Sequence, residues 1–348
     1  MSSNDKVTGV PRSAGQKKNV EHAETDSEQI IVGSVSYLDP RQSPDLEDCY
    51  LIATLISMAF CKPKVIRNLE DRYASGSGDR TVSIKMWPSP QSDAPQEIKV
   101  TEDLKRIFGK LWGASSRDTG ELWPGIYEKA FAYLYNKPKD NLEPDLLAAN
   151  SKDSDQAMYN LLGIRPMMYP IRPGLSSTPE YPLSEKSPFS IGLNTKRRIL
   201  EQLLSICGYK GTSTRSEVLA EGSRTSLAAK DVSIAATHST FKMQPKEVEA
   251  QKVLMANHCY SVLGLIWEGT NKESEPFVIL KNPFNLSGIE FPDYFRRVEF
   301  IANVWNFADQ TDKSVETFAL PLAMFADYIA IMYQVEEIGN TSSTGSKN

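Results

Sequence analysis

Histidine is the side chain whose ordinary titration falls near neutral pH, so it is the first place to look for acid–base chemistry. The chain has three, His22, His238 and His258. His22 lies in a polar amino-terminal stretch, which leaves His238 and His258. His258 directly precedes an apolar, strand-like run, Tyr260 to Trp267, and strand ends hold side chains rigidly at the edge of a cleft. Asn282 follows a second such run, Pro276 to Leu280, 24 residues beyond His258. If the two runs pair antiparallel, His258 and Asn282 fall at the same end, where the amide would orient the imidazole through a ring N–H.

A nucleophile for that base is available at Cys49, which opens the most apolar run of the chain, CYLIATLISMAFC. A thiol at a helix amino terminus sees the positive end of the macrodipole, which favours the reactive thiolate. On periodicity alone both residues also read as structural, because a cysteine on an apolar helix is commonly a small core residue and a histidine before a strand is commonly a satisfied one.

These residues need elements to position them. The run from Cys49 to Cys61 predicts a buried helix, too short for the roughly 20 residues that cross a bilayer. Leu122, Trp123, Ile126, Ala130, Phe131 and Leu134 recur at helical spacing and predict a helix over 120–134. Another is expected from Thr195 to Cys207, with Gly208 where a C-terminal cap would fall. Gln29 to Val35 reads as a strand or an extended arm, and the two runs after His258 as paired strands. Residues 1–28 and 338–348 are polar and expected to be disordered. The proline-rich stretch Pro166 to Pro188 predicts a linker, and the Ser- and Thr-rich segment 208–244 a surface excursion.

Composition narrows the class. With 348 residues, 40% hydrophobic and 24% charged, the chain has the makeup of a soluble globular protein. A net charge of −5 gives no footprint for a polyanion, so nucleic acid is not expected as a partner. Four cysteines without a C-x-x-C pair, and no signal-peptide core, predict a reducing, cytoplasmic compartment and no membrane association.

Several separated segments, in order, resemble the calpain family of papain-fold cysteine proteases. The family pattern Q-G-x-L-G-D-C-W-[FL]-[LI]-A is similar to Gln42 through Ala53 (QSPDLEDCYLIA), G-H-[AS]-Y-[SA]-[VI] to Asn257 through Val262 (NHCYSV), and N-P-W-G to Asn282 through Asn285 (NPFN). Leu122 through Leu134 resembles the family helix L-W-x-x-L-x-E-K-A-[YF]-A-K-L, and Ile31 to Gln42 and Phe318 to Tyr328 resemble the segments that open and close the protease core. The resemblance spans about residues 30–335. It implies a papain-like α+β core in two subdomains, 29–170 helix-rich and bearing the cysteine, 189–337 sheet-rich and bearing the histidine and asparagine, joined by a linker at 171–188, with the active-site cleft between them. It implies an endopeptidase acting on protein or peptide substrates through a thioester, without a cofactor. Cys49 would be the nucleophile, His258 the base, Asn282 its orienting amide, and the Gln42 side chain with the Cys49 N–H the oxyanion hole. Phe284 stands where the family has a shielding Trp.

Three departures bear on activity and control. Gln42 is seven residues before Cys49 where the family has six, Glu47 stands in place of a Gly, and an acidic calcium stretch of the family becomes Asp155 to Gly163, with Gln156, Tyr159 and Asn160 at the acid positions. Asp39 matches part of a first calcium loop. The expectation is therefore activity without a calcium requirement, with a regulatory protein as a further partner. The alternative is a catalytically impaired, protein-binding pseudoprotease.

Overall fold

A computed structural model of the chain describes residues 20–21, 29–69, 81–107, 110–117, 120–138, 143–150, 152–171, 191–193, 195–209, 225–237, 254–255, 257–269, 274–287, 294–309 and 314–336. The fold is mixed, with helices packed against antiparallel strands. In chain order the helices are α1 (Cys49–Cys61), α2 (Pro63–Arg67), α3 (Trp123–Tyr135), α4 (Ser154–Leu162), α5 (Lys196–Ile206) and α6 (Leu322–Tyr328). The strands are β1 (Val20–Glu21), β2 (Thr81–Met86), β3 (Gln96–Thr101), β4 (Arg106–Ile107), β5 (Lys110–Leu111), β6 (Met167–Pro170), β7 (Ser226–Ala228), β8 (Val232–Thr237), β9 (Cys259–Ile266), β10 (Phe277–Ser287), β11 (Arg296–Ile301), β12 (Val304–Phe307), β13 (Ser314–Pro321) and β14 (Ile329–Val335).

A nine-stranded sheet carries the architecture, in the order β12-β11-β13-β10-β9-β8-β14-β6 with β7 also on β9. β9 and β10 are antiparallel neighbours, as the two apolar runs predicted. Alternate residues of β9 feed two separate clusters of buried side chains. Cys259, Leu263 and Ile266 join a cluster built around α1, α3 and α4, whereas Tyr260, Val262 and Leu265 join one built with α5 and α6. The alternation slips by one residue at Leu263, where the β9–β10 register shifts between Ile279 and Leu280.

α1 is buried along its length, and its polar interruptions have partners. Ser57 Oγ donates to the Ser233 carbonyl of β8 at 2.7 Å, Ser261 Oγ of β9 donates to the Ala53 carbonyl of α1 at 2.7 Å, and Thr54 Oγ1 donates to the Tyr50 carbonyl at 2.8 Å. The first two bonds pin the helix to the sheet. α5 begins and ends as the sequence predicts: Thr195 Oγ1 accepts the Arg198 N–H at 3.2 Å, and Gly208 takes a positive φ of 87° after the last turn.

Other expectations change. Gln29 to Val35 forms no strand beyond a single bridge to Glu121; Gly33 turns the chain at φ 72°, and the segment lies as an arm whose Gln29 and Ile30 carbonyls accept N–H groups at the start of α3. The 208–244 excursion contains β7 and β8, and β8 is an interior strand between β9 and β14. Its small side chains hid it, since Ser233 and the alanines give little apolar periodicity. Within the tail 1–28, Val20–Glu21 pairs with β4; the remainder of that tail, residues 172–190 of the expected linker, His238 and the tail 338–348 lie outside the described residues. Among the described residues no helix is long and apolar enough to cross a membrane.

Candidate active site

Cys49 is the first residue of α1 and is half-buried. His258 sits one residue before β9 and is buried, reached through Asn257 in the left-handed region at φ 50°, a conformation that asparagine tolerates better than most residues. Asn282 lies in β10 one residue past Lys281, which pairs with Ser261 of β9, and is fully buried. The structure thus brings the ends of the two runs together.

His258 Nε2 donates to Asn282 Oδ1 at 2.8 Å. The Phe284 backbone N–H also donates to that oxygen, at 2.9 Å, which fixes it as the carbonyl side of the amide. An amide oxygen only accepts, so the proton on the imidazole is placed at Nε2 and Nδ1 is left to the thiol. The ring is held flat between neighbours: Phe284 stacks on it with centroids 4.9 Å apart and planes 7° apart, and Tyr260 meets it edge-on at 5.0 Å.

The Cys49 thiol is lowered from its ordinary 9.0 to about 4. A hydrogen bond from the Cys259 thiol is the largest cause, burial opposes it, and the hydrogen bond and charge of His258 together with the Cys259 backbone N–H add to the lowering. Cys259 moves the opposite way, well above the ordinary thiol range, because it faces the Cys49 sulfur and is buried. Ser154 Oγ, at the start of α4, lies 3.3 Å from the Cys259 sulfur. Burial also pushes Cys207 up to about 12.

Gln42 occupies the loop before Cys49 and is buried, with its Nε2 donating to the Leu46 carbonyl at 2.7 Å. The loop turns at Pro44–Asp45, closed by Leu46 N–H to the Ser43 carbonyl at 3.3 Å. Gln42 N–H donates to the Pro283 carbonyl at 3.0 Å, tying the loop to the strand that bears Asn282. Glu47 is exposed, its N–H bonded to Asn150 Oδ1 at 3.0 Å, and the adjacent thiol is lowered all the same.

Behind the thiol lies a pair of buried acids that sequence reasoning missed. Asp48, which immediately precedes α1, and Glu128 of α3 are fully buried neighbours, and neither Asp48 oxygen nor Glu128 Oε1 meets a hydrogen-bond donor. Burial pushes Asp48 up to about 6, and burial with the Asp48 charge pushes Glu128 well up as well, so the two carboxyls hold a proton between them. Glu128 Oε2 also accepts the Ala114 N–H at 2.8 Å. A second missed group flanks Asn282. Lys281 Nζ pairs with Glu316 Oε2 at 3.0 Å, and the Arg41 guanidinium takes the other Glu316 oxygen. Only adjacency to Gln42, Cys49, His258 and Asn282 could have drawn attention to Arg41, Asp48, Cys259 and Lys281.

Asp39 Oδ2 accepts the Ser36 N–H at 2.7 Å and closes a local turn. Among the described residues no group of three or more histidine, cysteine or acidic side chains is placed to hold a metal ion. Compared with known proteins, the sequence matches no family model and no curated protein.

Proposed function

We propose that this chain is a calpain-type cysteine endopeptidase core of papain-like fold. The observation that carries the reading is the contact of the Cys49 thiol with a His258 imidazole whose Nε2 is held by Asn282. Three further features agree with the resemblance. Phe284 covers the His258–Asn282 pair, Asn257, where the family pattern has glycine, takes a positive φ, and Cys49 opens a buried helix.

In this reading the cleft lies between the helical part that carries Cys49 and the sheet that carries His258. A peptide lies extended in the cleft, and Cys49 Sγ attacks the scissile carbonyl carbon. His258 Nδ1, which has taken the Cys49 thiol proton, passes it to the leaving amine, and water then resolves the thioester with His258 as base. The Cys49 N–H, at the positive end of α1, is the main-chain donor to the oxyanion, and a half-turn of the Gln42 side chain away from Leu46 would supply the second. No cation takes part, and a chelator leaves the rate unchanged.

An epoxide or fluoromethyl ketone probe for active-site thiols tests the reading, with hydrolysis of an unstructured protein substrate followed in parallel. Labelling confined to Cys49, abolished in His258→Ala, with cleavage lost in Cys49→Ala, is expected. Absence of labelling sinks it. The engaged Gln42 amide favours a second reading, a protein-binding module with a reactive but unproductive thiol, for which labelling without cleavage is the signature.

A further inference from the structure

Cys259 has no part in the nucleophile, base and amide arrangement, yet it packs beside Cys49 in the cluster around α1, α3 and α4, although 210 residues separate the two cysteines in sequence. There Ser261 Oγ, two residues on in β9, donates to the Ala53 carbonyl, one turn on in α1, at 2.7 Å. Cys49 is the first residue of α1 and Cys259 the first of β9, so both sulfurs project from element ends, where the chain yields most easily. They also differ in access, because Cys49 is half-buried whereas Cys259 is 8% exposed.

We propose that Cys259 is a resolving cysteine, which captures Cys49 after oxidation by a hydroperoxide as a reversible Cys49–Cys259 disulfide. In the first step the Cys49 thiolate sulfur attacks the nearer peroxide oxygen. An S–O bond forms, the O–O bond breaks, and the other oxygen leaves as water or alcohol after taking a proton from solvent. Cys49 is oxidised by two electrons to the sulfenic acid and the hydroperoxide is reduced. In the second step the Cys259 sulfur attacks the Cys49 sulfur, so that an S–S bond forms and the S–O bond breaks. The departing hydroxide leaves with the Cys259 proton as water. A dithiol restores both thiols by exchange.

The site assigns the order of these events. Cys49 carries the thiolate and is the sulfur a small oxidant reaches first. Cys259 is kept protonated chiefly by its hydrogen bond to Cys49, with burial and the Cys49 charge adding to it. Oxidation of Cys49 removes the first and the last of these, so the resolving thiol is released for attack only once there is something to resolve. Ser154 Oγ, 3.3 Å away, holds the Cys259 sulfur in place meanwhile.

The test uses the full reduced chain, a small excess of hydrogen peroxide, and chymotryptic mapping without reductant. Cleavage after Tyr50 and Phe60 separates Cys49 from Cys61. The expected result is a fall from four free thiols to two, a cross-linked pair of peptides bearing Cys49 and Cys259, and full recovery of both thiols with dithiothreitol. In Cys259→Ser and Cys259→Ala, Cys49 is trapped by dimedone as the sulfenic acid and passes to the sulfinic acid, which dithiothreitol does not reverse. Cys49 sulfinic acid beside a free Cys259 thiol in the unsubstituted chain would overturn the proposal, as would a Cys49 that peroxide leaves untouched or equal recovery in the variants. The readout is the mass at sulfur and stands apart from peptide hydrolysis. A chain that cross-links but cleaves nothing overturns the protease reading alone, and a protease that never cross-links overturns this one alone.

Discussion

The Phe284 ring lies against the His258 imidazole with their planes 7° apart, on the strand that also supplies Asn282. An apolar lid of this kind keeps water from competing for the His258–Asn282 hydrogen bond and fixes the plane in which the imidazole swings. Phe284→Ala should lower the labelling rate of Cys49 and kcat/KM about ten- to a hundred-fold, the cost of a catalytic group mispositioned by a fraction of an ångström to one ångström. Phe284→Trp should recover most of the rate. An unchanged rate in the alanine variant would remove the lid from the argument.

The lowered thiol sets an acid limit. A folded-state value of about 4 means the thiolate persists as pH falls and is lost only near that value. Alkylation of Cys49 by iodoacetamide should therefore be nearly flat from about pH 8 to about pH 5 and fall to half near pH 4, followed by peptide mass in folded protein. Two of the lowering causes are the hydrogen bond and charge of His258, so His258→Ala should move the midpoint upward. Cys259→Ala should move it upward as well, since the Cys259 hydrogen bond is the largest cause.

Asp48 and Glu128 make stability depend on pH in the opposite sense from most carboxylates. Both are raised in the folded state, so their contribution is fully present below the unfolded value near 4 and is lost as pH rises through the folded values, about 6 for Asp48. A shift of that size corresponds to up to about 3 kcal/mol. Glu128→Gln presents an amide that donates to an ionised Asp48, and should flatten the change in thermal midpoint between about pH 4 and pH 7 relative to the unsubstituted chain. Parallel profiles for the two proteins would refute the shared proton.

The cluster of Arg41, Glu316 and Lys281 is a charge arrangement that tolerates whole replacement better than a single loss. Burial lowers Lys281, and Glu316 opposes that shift; for Glu316 itself burial raises the carboxyl, while Lys281 and Arg41 together bring it below the usual range. Glu316→Ala strands a fully buried ammonium and should cost about 3–5 kcal/mol in urea unfolding. Arg41→Ala removes a partner that is 26% exposed and should cost less. Lys281→Met combined with Glu316→Leu should recover most of the loss.

What the sequence disclosed follows the reach of its signals. α1, α3 and α5 were legible because helical periodicity and caps are local, and Gly208 marks its own helix end. The meeting of His258 with Asn282 was legible because the two flank consecutive antiparallel strands, so one hairpin brings them together. β8 was not, since its serine and two alanines give little apolar periodicity although the strand lies inside the sheet. The β2–β3 hairpin went unread because its connection carries Pro88, Pro90 and Pro95. Cys259 beside Cys49, and Asp48 beside Glu128, come from parts of the chain that local pattern does not connect.

The bond from Gln42 N–H to the Pro283 carbonyl has a mechanical consequence. It joins the loop that ends at the nucleophile to the strand that bears Asn282, while Arg41, one residue before Gln42, pairs with Glu316 of the neighbouring strand β13. The two halves of the site are latched rather than hinged. Parting them breaks a main-chain bond and an ion pair together, so the Cys49 loop and the strands behind Asn282 move as one body.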